Sequence, residues 1–343
     1  MPDRKARRQL WRAEAMVRHA AVVDALAGTA RHTDDEVRAC LFWLGARRQA
    51  RRHLRTLQAR GIGDRQEDVR TALEAVVEDA DFSLASAGPA VVEQARSRLG
   101  LRIAVVGKGG TGKSLVSGTL ARLLAQRGRP VLAVDLDTNP GLAFSIGVPP
   151  TDGRLPDEAV EEFEGAPYGW RLRGGLTPAD AVEHHGVHGP DGVRFLGLGK
   201  IGDSEKRDPK RTVAALREVL DGFGEPGWDV IGDLEAGPTT PFEGYHLFAE
   251  QALVVVTPTW VSAMTARRLL PIVDDLDTLV VANQLRGEPD HRGLAPVVRI
   301  PWDRAAADAE RRGLAPLDVC PDSPAIAAIA ALADALTHQE VTV

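Results

Sequence analysis

The string Gly107-Lys108-Gly109-Gly110-Thr111-Gly112-Lys113-Ser114 constrains this 343-residue chain more than any other feature. It fits G-x-x-x-x-G-K-[ST], a pattern that has chemical meaning only where it joins a β-strand to a helix. Both flanks are present. Ile103–Val106 is a short strand-like run, and Leu115–Gln126 is an Ala/Leu-rich helical segment. Glycines in such a loop let successive backbone N–H groups turn toward one anion, and the helix N-terminus adds partial positive charge. Gly107, Gly109, Gly110, Thr111, Gly112, Lys113 and Ser114 are therefore read as a phosphate cradle. In it Lys113 reaches the β- and γ-phosphates and the Ser114 hydroxyl holds Mg²⁺.

A loop of this kind belongs in an α/β fold, and the rest of the chain agrees. From Leu101 onward, apolar runs alternate with helical segments: Ile103–Val106, Val131–Val134, Val193–Leu196, Val230–Ile231, Leu253–Val256, Leu279–Val281 and Val297–Ile300. That alternation predicts a doubly wound, mostly parallel sheet with helices on both faces. Ligands of such sheets sit at the C-terminal strand ends. Residues 1–98 read differently. They are helical, with Thr33 and Glu36 as a capping box before a helix to about Arg60, a stop at Gly61-Ile62-Gly63, a second helix through Ala80, and a break at Ser86–Pro89. Two domains are expected, a small all-α module over 1–98 and a P-loop NTPase domain over 99–343.

Charge separates the same two blocks. Residues 1–100 hold eighteen Lys and Arg against fourteen Asp and Glu, whereas the other 243 hold 24 against 34. Only six lysines occur beside 36 arginines, so two in one eight-residue loop stand out. Arg47, Arg48, Arg51, Arg52 and Arg55 form a basic helical stripe suited to phosphates, to an acidic partner or to intramolecular pairing. No continuous apolar segment follows the basic N-terminus, and Ala325–Leu336 is too short to span a bilayer, so a cytoplasmic location is expected. With two cysteines, Cys40 and Cys320, and no Cys-x-Cys or Cys-x-x-Cys pair, a thiolate metal site within one chain is not expected.

Lys108, at the second position of the loop, has no role in an ordinary P-loop. The stretch resembles the deviant Walker A motif, Lys-Gly-Gly-x-Gly-Lys-[Ser/Thr], of the MinD/ParA family within the SIMIBI class of ATPases. That resemblance implies ATP and Mg²⁺ as cofactors, a homodimer formed on ATP binding, and Lys108 crossing to the partner's phosphates as a catalytic cation. It extends to Val134-Asp135-Leu136-Asp137-Thr138-Asn139-Pro140, similar to the family's switch I. There Asp137 implies a catalytic group for the attacking water and Asp135 a supporting place at the metal. Asp233 in Trp228–Gly237 resembles the Walker B acid that holds Mg²⁺, with the Gly237 N–H facing the γ-phosphate. Asn283, just past a strand, and Pro301 resemble the base-binding positions; Gln284-Leu285-Arg286 in place of a guanine-reading Lys-x-Asp favours ATP over GTP.

Asp233-Leu-Glu235-Ala-Gly237 is similar to the carbon monoxide dehydrogenase accessory branch, whose nickel-handling members carry Cys-x-Cys. The corresponding stretch here, Gly197–Arg211, has no cysteine. His184-His185-x-x-His188 is read as a solvated loop because Gly186 and Gly189-Pro190 interrupt it, and the last helix, without Lys or Arg, as a packing element and not a membrane anchor. The implied function is a slow, dimerisation-coupled ATP hydrolase acting as a switch on a protein client, in metalloenzyme maturation. Two alternatives stay open: cargo positioning with the arginine stripe tethering nucleic acid, and a small-molecule ligase or kinase.

Overall fold

The computed structural model describes residues 35–59, 67–137, 141–149, 153–163, 169–198, 209–225, 227–274, 276–287 and 293–338. The chain divides into two compact units: residues up to Gly100 joined by 224–228, and Leu101–Phe223 with Asp229–Val343.

The first unit contains helices Asp35–Ala59, Glu67–Ala87 and Pro89–Leu99. Val37, Leu41 and Leu44, at i, i+4 and i+7, form the buried stripe of the first, and Leu84, Val92 and Ala95 close over it. The second helix runs past the expected end at Ala80, because Ala80 and Leu84 share its buried face and nothing breaks it before Gly88-Pro89. The capping pair at Thr33 and the glycine stop at 61–63 lie outside the described residues. The arginine stripe is used internally. Arg47 and Arg51 both reach Asp81, at 2.7 and 3.3 Å. Arg48 donates to the carbonyls of Leu99 and Gly100, neutralising a helix C-terminus. The side chains of Arg52 and Arg55 lie outside the description.

Among the described residues the second unit has ten strands: β1 (Arg102–Gly107), β2 (Val131–Asp135), β3 (Val160–Glu162), β4 (Trp170–Leu172), β5 (Val187–His188), β6 (Arg194–Gly197), β7 (Asp229–Asp233), β8 (Gln251–Val256), β9 (Asp277–Leu285) and β10 (Val298–Pro301). Eight of them form one sheet in the order β10-β9-β8-β1-β7-β2-β6-β5, while β3 and β4 make a separate antiparallel ribbon. Every pairing in the large sheet is parallel except β5 with β6. The expected doubly wound, mostly parallel fold is therefore present. Strands β3, β4 and β5 escape sequence reading because two or three residues cannot display a period. The expected histidine loop is half wrong for a related reason: His184 and His185 complete the last turn of helix Pro178–His185, and His188 lies in β5. That helix is fixed at its other end by a Thr177–Asp180 capping box. Among the described residues no group of three His, Cys, Asp or Glu could hold a metal ion.

Strand β1 is buried at every position and lies between β7 and β8. The chain leaves it toward β2 on one side and returns to β8 on the other, which makes its C-terminal end the crevice of a doubly wound sheet. One face is covered by helices Lys113–Gln126 and Pro324–His338. Val116, Leu120, Leu124, Ile329 and Leu332 meet Ile103, Val105, Ala133 and Val281 there. Each fully buried aliphatic side chain contributes about 1.5–3 kcal/mol, so the helix that starts at the phosphate loop is held firmly. The last helix packs as expected, and among the described residues no helix is long and apolar enough to cross a membrane. At the other end of the sheet, Asp229 is completely buried. It accepts from Arg129 Nε at 2.5 Å, Arg129 Nη2 at 2.6 Å and the Leu101 amide at 2.6 Å, tying β1, β2 and β7 together where they begin.

Candidate nucleotide-binding site

Residues 108–112 connect β1 to helix Lys113–Gln126 without regular structure. Gly110 and Gly112 take φ of 78° and 83°, a region that costs an L-residue about 1–2 kcal/mol. Gly112 is also the helix N-cap, and a Cβ there would come within 2.3 Å of Asn283 Nδ2. Thr111 is buried and donates through both its hydroxyl and its amide to the Lys108 carbonyl, at 2.8 and 3.3 Å, which closes the loop into a ring. The two lysines are placed oppositely. Lys113 is buried at the helix start, whereas Lys108 is half-exposed on the outside, with Nζ donating to the Gly109 carbonyl at 3.2 Å.

Beneath the loop two acids stand side by side. Asp135 ends β2 and Asp233 ends β7, and they are direct partners in the sheet register. Both are about 1% exposed. Ser114 Oγ donates to Asp233 Oδ2 at 2.6 Å, while Asp233 Oδ1 is buried without a donor. Burial lifts Asp233 to about 6, with Lys113 pulling it back, and burial followed by repulsion from Asp233 holds Asp135 well above the ordinary carboxylate range. Asp135 also organises the segment after β2: its two oxygens accept from the amides of Asp137 and Leu142, at 2.9 and 3.2 Å. That leaves Asp137 half-buried, and its charge adds to the burial that raises the carboxyls of Asp233 and Glu235. Residues 138–140 of the expected switch I lie outside the description.

The segment after β7 rides on the loop. A Cβ at Gly109 would sit 3.5 Å from the Ala236 side chain. The Gly237 amide, expected to face a phosphate, donates to the Gly107 carbonyl at 3.0 Å. Asn283 is placed where it braces the loop. Its Nδ2 donates to the Thr111 carbonyl at 2.8 Å and its Oδ1 accepts from the Gln284 amide at 2.8 Å. Gln284 Nε2 donates in turn to the Gly110 carbonyl at 3.1 Å. Pro301 ends β10 in register with Leu285 of β9, on the same edge of the sheet. The structure thus gathers Gly107–Ser114, Asp135, Asp137, Asp233, Gly237 and Asn283 around one loop.

Gln284 is the residue that sequence reading missed here. At φ 58° it is one of two non-glycine residues with positive φ among those described, and this backbone turn aims its amide at the loop. Asn283, expected just past a strand, lies with Gln284 within the last residues of β9, which runs on to Leu285, and that Asn-Gln pair is the trace of the brace in the sequence. Because Asn283 fills the space beside Gly112, Gly112→Ala adds a clash to an unfavourable φ. We expect it to weaken Mg-ADP binding at least about tenfold, a loss of some 1.4 kcal/mol, in a calorimetric titration.

Residues 103–317 match the CobQ/CobB/MinD/ParA nucleotide binding domain. The chain belongs to this family. As a MinD/ParA-family chain it is a nucleotide-binding P-loop ATPase domain, of a kind that generally hydrolyses ATP. It is 28% identical over 233 residues to an uncharacterized ATP-binding protein of Methanocaldococcus jannaschii, covering 62% of this chain and 90% of that protein. It is 28% identical over 242 residues to the carbon monoxide dehydrogenase accessory protein CooC of Rhodospirillum rubrum, covering 64% and 91%. A light-independent protochlorophyllide reductase iron-sulfur ATP-binding protein of Chloroherpeton thalassium is 29% identical over 185 residues, 51% of this chain and 61% of that one. Among solved structures, MinD of Pyrococcus horikoshii OT3 complexed with Mg-ADP superposes with a TM-score of 0.50 at 21% identity, covering 68% and 94%. At that identity the likeness speaks for the fold alone.

The MinD/ParA-family fold calls for Mg²⁺ with the nucleotide, and the residues here fit it. A buried carboxylate oxygen without a donor, beside a serine hydroxyl and a second buried carboxylate, is the hard-oxygen set that a magnesium ion completes.

Proposed function

We propose that this chain is a Mg-ATP-dependent switch in which two copies close face to face over the nucleotides and slow hydrolysis releases them. The observation that carries this reading is the opposite placement of the two loop lysines. Lys113, buried in the cradle, serves the phosphates of its own chain; Lys108, half-exposed on the outer rim, is positioned to serve those of a second copy. A cation delivered by a partner ties hydrolysis to assembly, as an arginine finger does.

In this reading each residue takes a role that its position supports. Backbone amides of Gly109–Ser114 and the Lys113 ammonium bind the phosphates. Ser114 and Asp233 hold Mg²⁺, with Asp135 fixing the chain behind them. The ion, when bound, offsets the negative charge of the β- and γ-phosphates. Asp137 orients a water in line with the γ-phosphorus and accepts a hydrogen bond from it. Attack breaks the bond to the β,γ-bridging oxygen and gives ADP and phosphate. The Gly237 amide exchanges the Gly107 carbonyl for a γ-phosphate oxygen, a charged and therefore stronger acceptor. Asn283 and Pro301 mark the base side of the crevice.

The output is the handling of a protein client in metalloenzyme maturation. This is supported by 28% identity across 91% of the carbon monoxide dehydrogenase accessory protein and by the match to an iron-sulfur ATP-binding protein. Cargo positioning through the arginine stripe is less well supported, since Arg47, Arg48 and Arg51 are engaged within their own unit.

Light scattering tests the reading. The mass should double with Mg-ATP and return with Mg-ADP; an unchanged mass with bound ATP would turn the reading toward a small-molecule phosphoryl-transfer enzyme. Asp137→Ala should pair on ATP as the parent does but hydrolyse it about 100-fold or more slowly, so the dimer should outlast a turnover by size-exclusion chromatography.

A further inference from the structure

The segment that follows β7 is held at both ends. At one end lies the bond from the Gly237 amide to the Gly107 carbonyl. At the other, the buried Arg217 guanidinium donates from Nη1 to the Glu243 carbonyl at 3.1 Å and from Nη2 to the Gly244 carbonyl at 3.0 Å, with the Tyr245 ring 4.8 Å away. Between these anchors the backbone is tied by local hydrogen bonds. Phe242 and Glu243 donate to the Pro238 and Thr239 carbonyls, and the Thr240 hydroxyl to the Glu235 carbonyl. A displacement at Gly237 therefore arrives at Glu243 and Gly244 as movement of one body.

Arg217 belongs to helix Pro209–Gly222, and that helix also grips the β3–β4 ribbon. Arg211 Nη2 donates to the Asp157 and Val160 carbonyls at 2.6 and 2.7 Å, and its guanidinium lies 4.9 Å from the Trp170 ring. Glu218, two turns along from Arg211 on the same face, accepts from the Leu172 amide at 2.6 Å. One helix thus joins the segment that follows β7 to the β3–β4 ribbon. Among its contacts are the Arg217 fork, the two bonds from Arg211 Nη2 and the Glu218 carboxylate, which are directional.

We propose that Arg217 is a positioning residue that transmits the nucleotide-dependent setting of residues 237–244 through helix Pro209–Gly222 to the β3–β4 ribbon, so that the ribbon differs between the ATP and ADP states. The inference rests on the nucleotide-switch reading above. The two-state element is the Gly237 amide, which has the Gly107 carbonyl as one acceptor and a γ-phosphate oxygen as the other. A coupling requires that the ribbon bias this element in return, through the same helix.

Hydrogen–deuterium exchange on the full chain tests it, with Mg-ADP and with a non-hydrolysable Mg-ATP analogue. In the parent protein, peptides covering 157–163 and 169–173 should differ in exchange rate about fivefold or more between the two nucleotides, the size of a usual allosteric coupling. Arg217→Met should keep nucleotide protection at 107–114 yet lose that difference. Arg211→Gln cuts the relay at its other end, so the difference should persist at 238–245 and vanish in the ribbon. A purely structural role would speed ribbon exchange equally with both nucleotides and leave the difference standing, which would overturn the proposal. So would a parent ribbon that exchanges identically with ADP and the analogue while 107–114 is protected. If Arg217→Met does not fold, the Arg211→Gln result decides. Absence of protection at 107–114 with either nucleotide would overturn the nucleotide reading, and this inference with it.

Discussion

Lys108→Ala should bind ATP as tightly as the parent and hydrolyse it about 10³-fold or more slowly, the usual worth of a cation supplied in trans to a phosphoryl-transfer site. The expectation follows from where the side chain is. Lys108 touches only the rim of its own loop in the contacts described, through the Gly109 carbonyl. Removing it leaves the Thr111 ring closure, the Asn283 brace, the buried Lys113 and the Ser114–Asp233 pair in place. Single-chain affinity for ATP should accordingly be unaffected, and nucleotide-dependent doubling of mass should disappear with the turnover. Mixing supplies the sharper control. Lys108→Ala combined with a chain disabled at Lys113 should recover partial hydrolysis, because one closed pair then holds an intact cradle facing an intact Lys108. Full turnover by Lys108→Ala alone would remove the in-trans role.

The second large effect is on stability. Arg129→Met should cost about 3–5 kcal/mol and lower the melting temperature of a unit this size by about 6–20 °C. Asp229 is completely buried, and the fork from Arg129 supplies two of the three donors described for it. Without the fork, a buried carboxylate keeps only the Leu101 amide. Changing Asp229 as well, in Arg129→Met/Asp229→Leu, should return part of the loss, since no charge is then stranded. Recovery should stay incomplete because the Leu101 amide loses its acceptor. Thermal unfolding with and without Mg-ADP checks both variants.

What could be read in advance was whatever lies contiguous in the chain. The loop at Gly107–Ser114, the paired acids at Asp135 and Asp137, and Asp233 at a strand end each carry their chemistry within a few residues, and all seven expected apolar runs became strands of the large sheet. Contacts across the chain were not readable. The amides that hold the loop come from Asn283 and Gln284, more than 170 residues away. Nothing in an asparagine near a strand end distinguishes a base contact from a brace, because both use the same carboxamide. Gly237 shows the same limit: the sequence identifies the glycine, but only the structure shows that its amide is bonded to the Gly107 carbonyl. Helical spacing aligns the arginine stripe equally well for phosphates, an acidic partner or intramolecular pairing, and it is Asp81, from the next helix, that takes up two of its members.

The helical unit is completed by residues 224–228, which come from the middle of the ATPase sequence. Within that unit Gly100 lies so close to the Trp228 carbonyl that a Cβ would stand 2.1 Å from its oxygen. In modular terms, then, the unit is not a cassette. Moving residues 1–100 onto another protein would leave the unit without its segment 224–228. Gene fusion or loss can add or remove an ordinary N-terminal domain in one step. Here a transfer of the helical unit has to carry residues 224–228 as well.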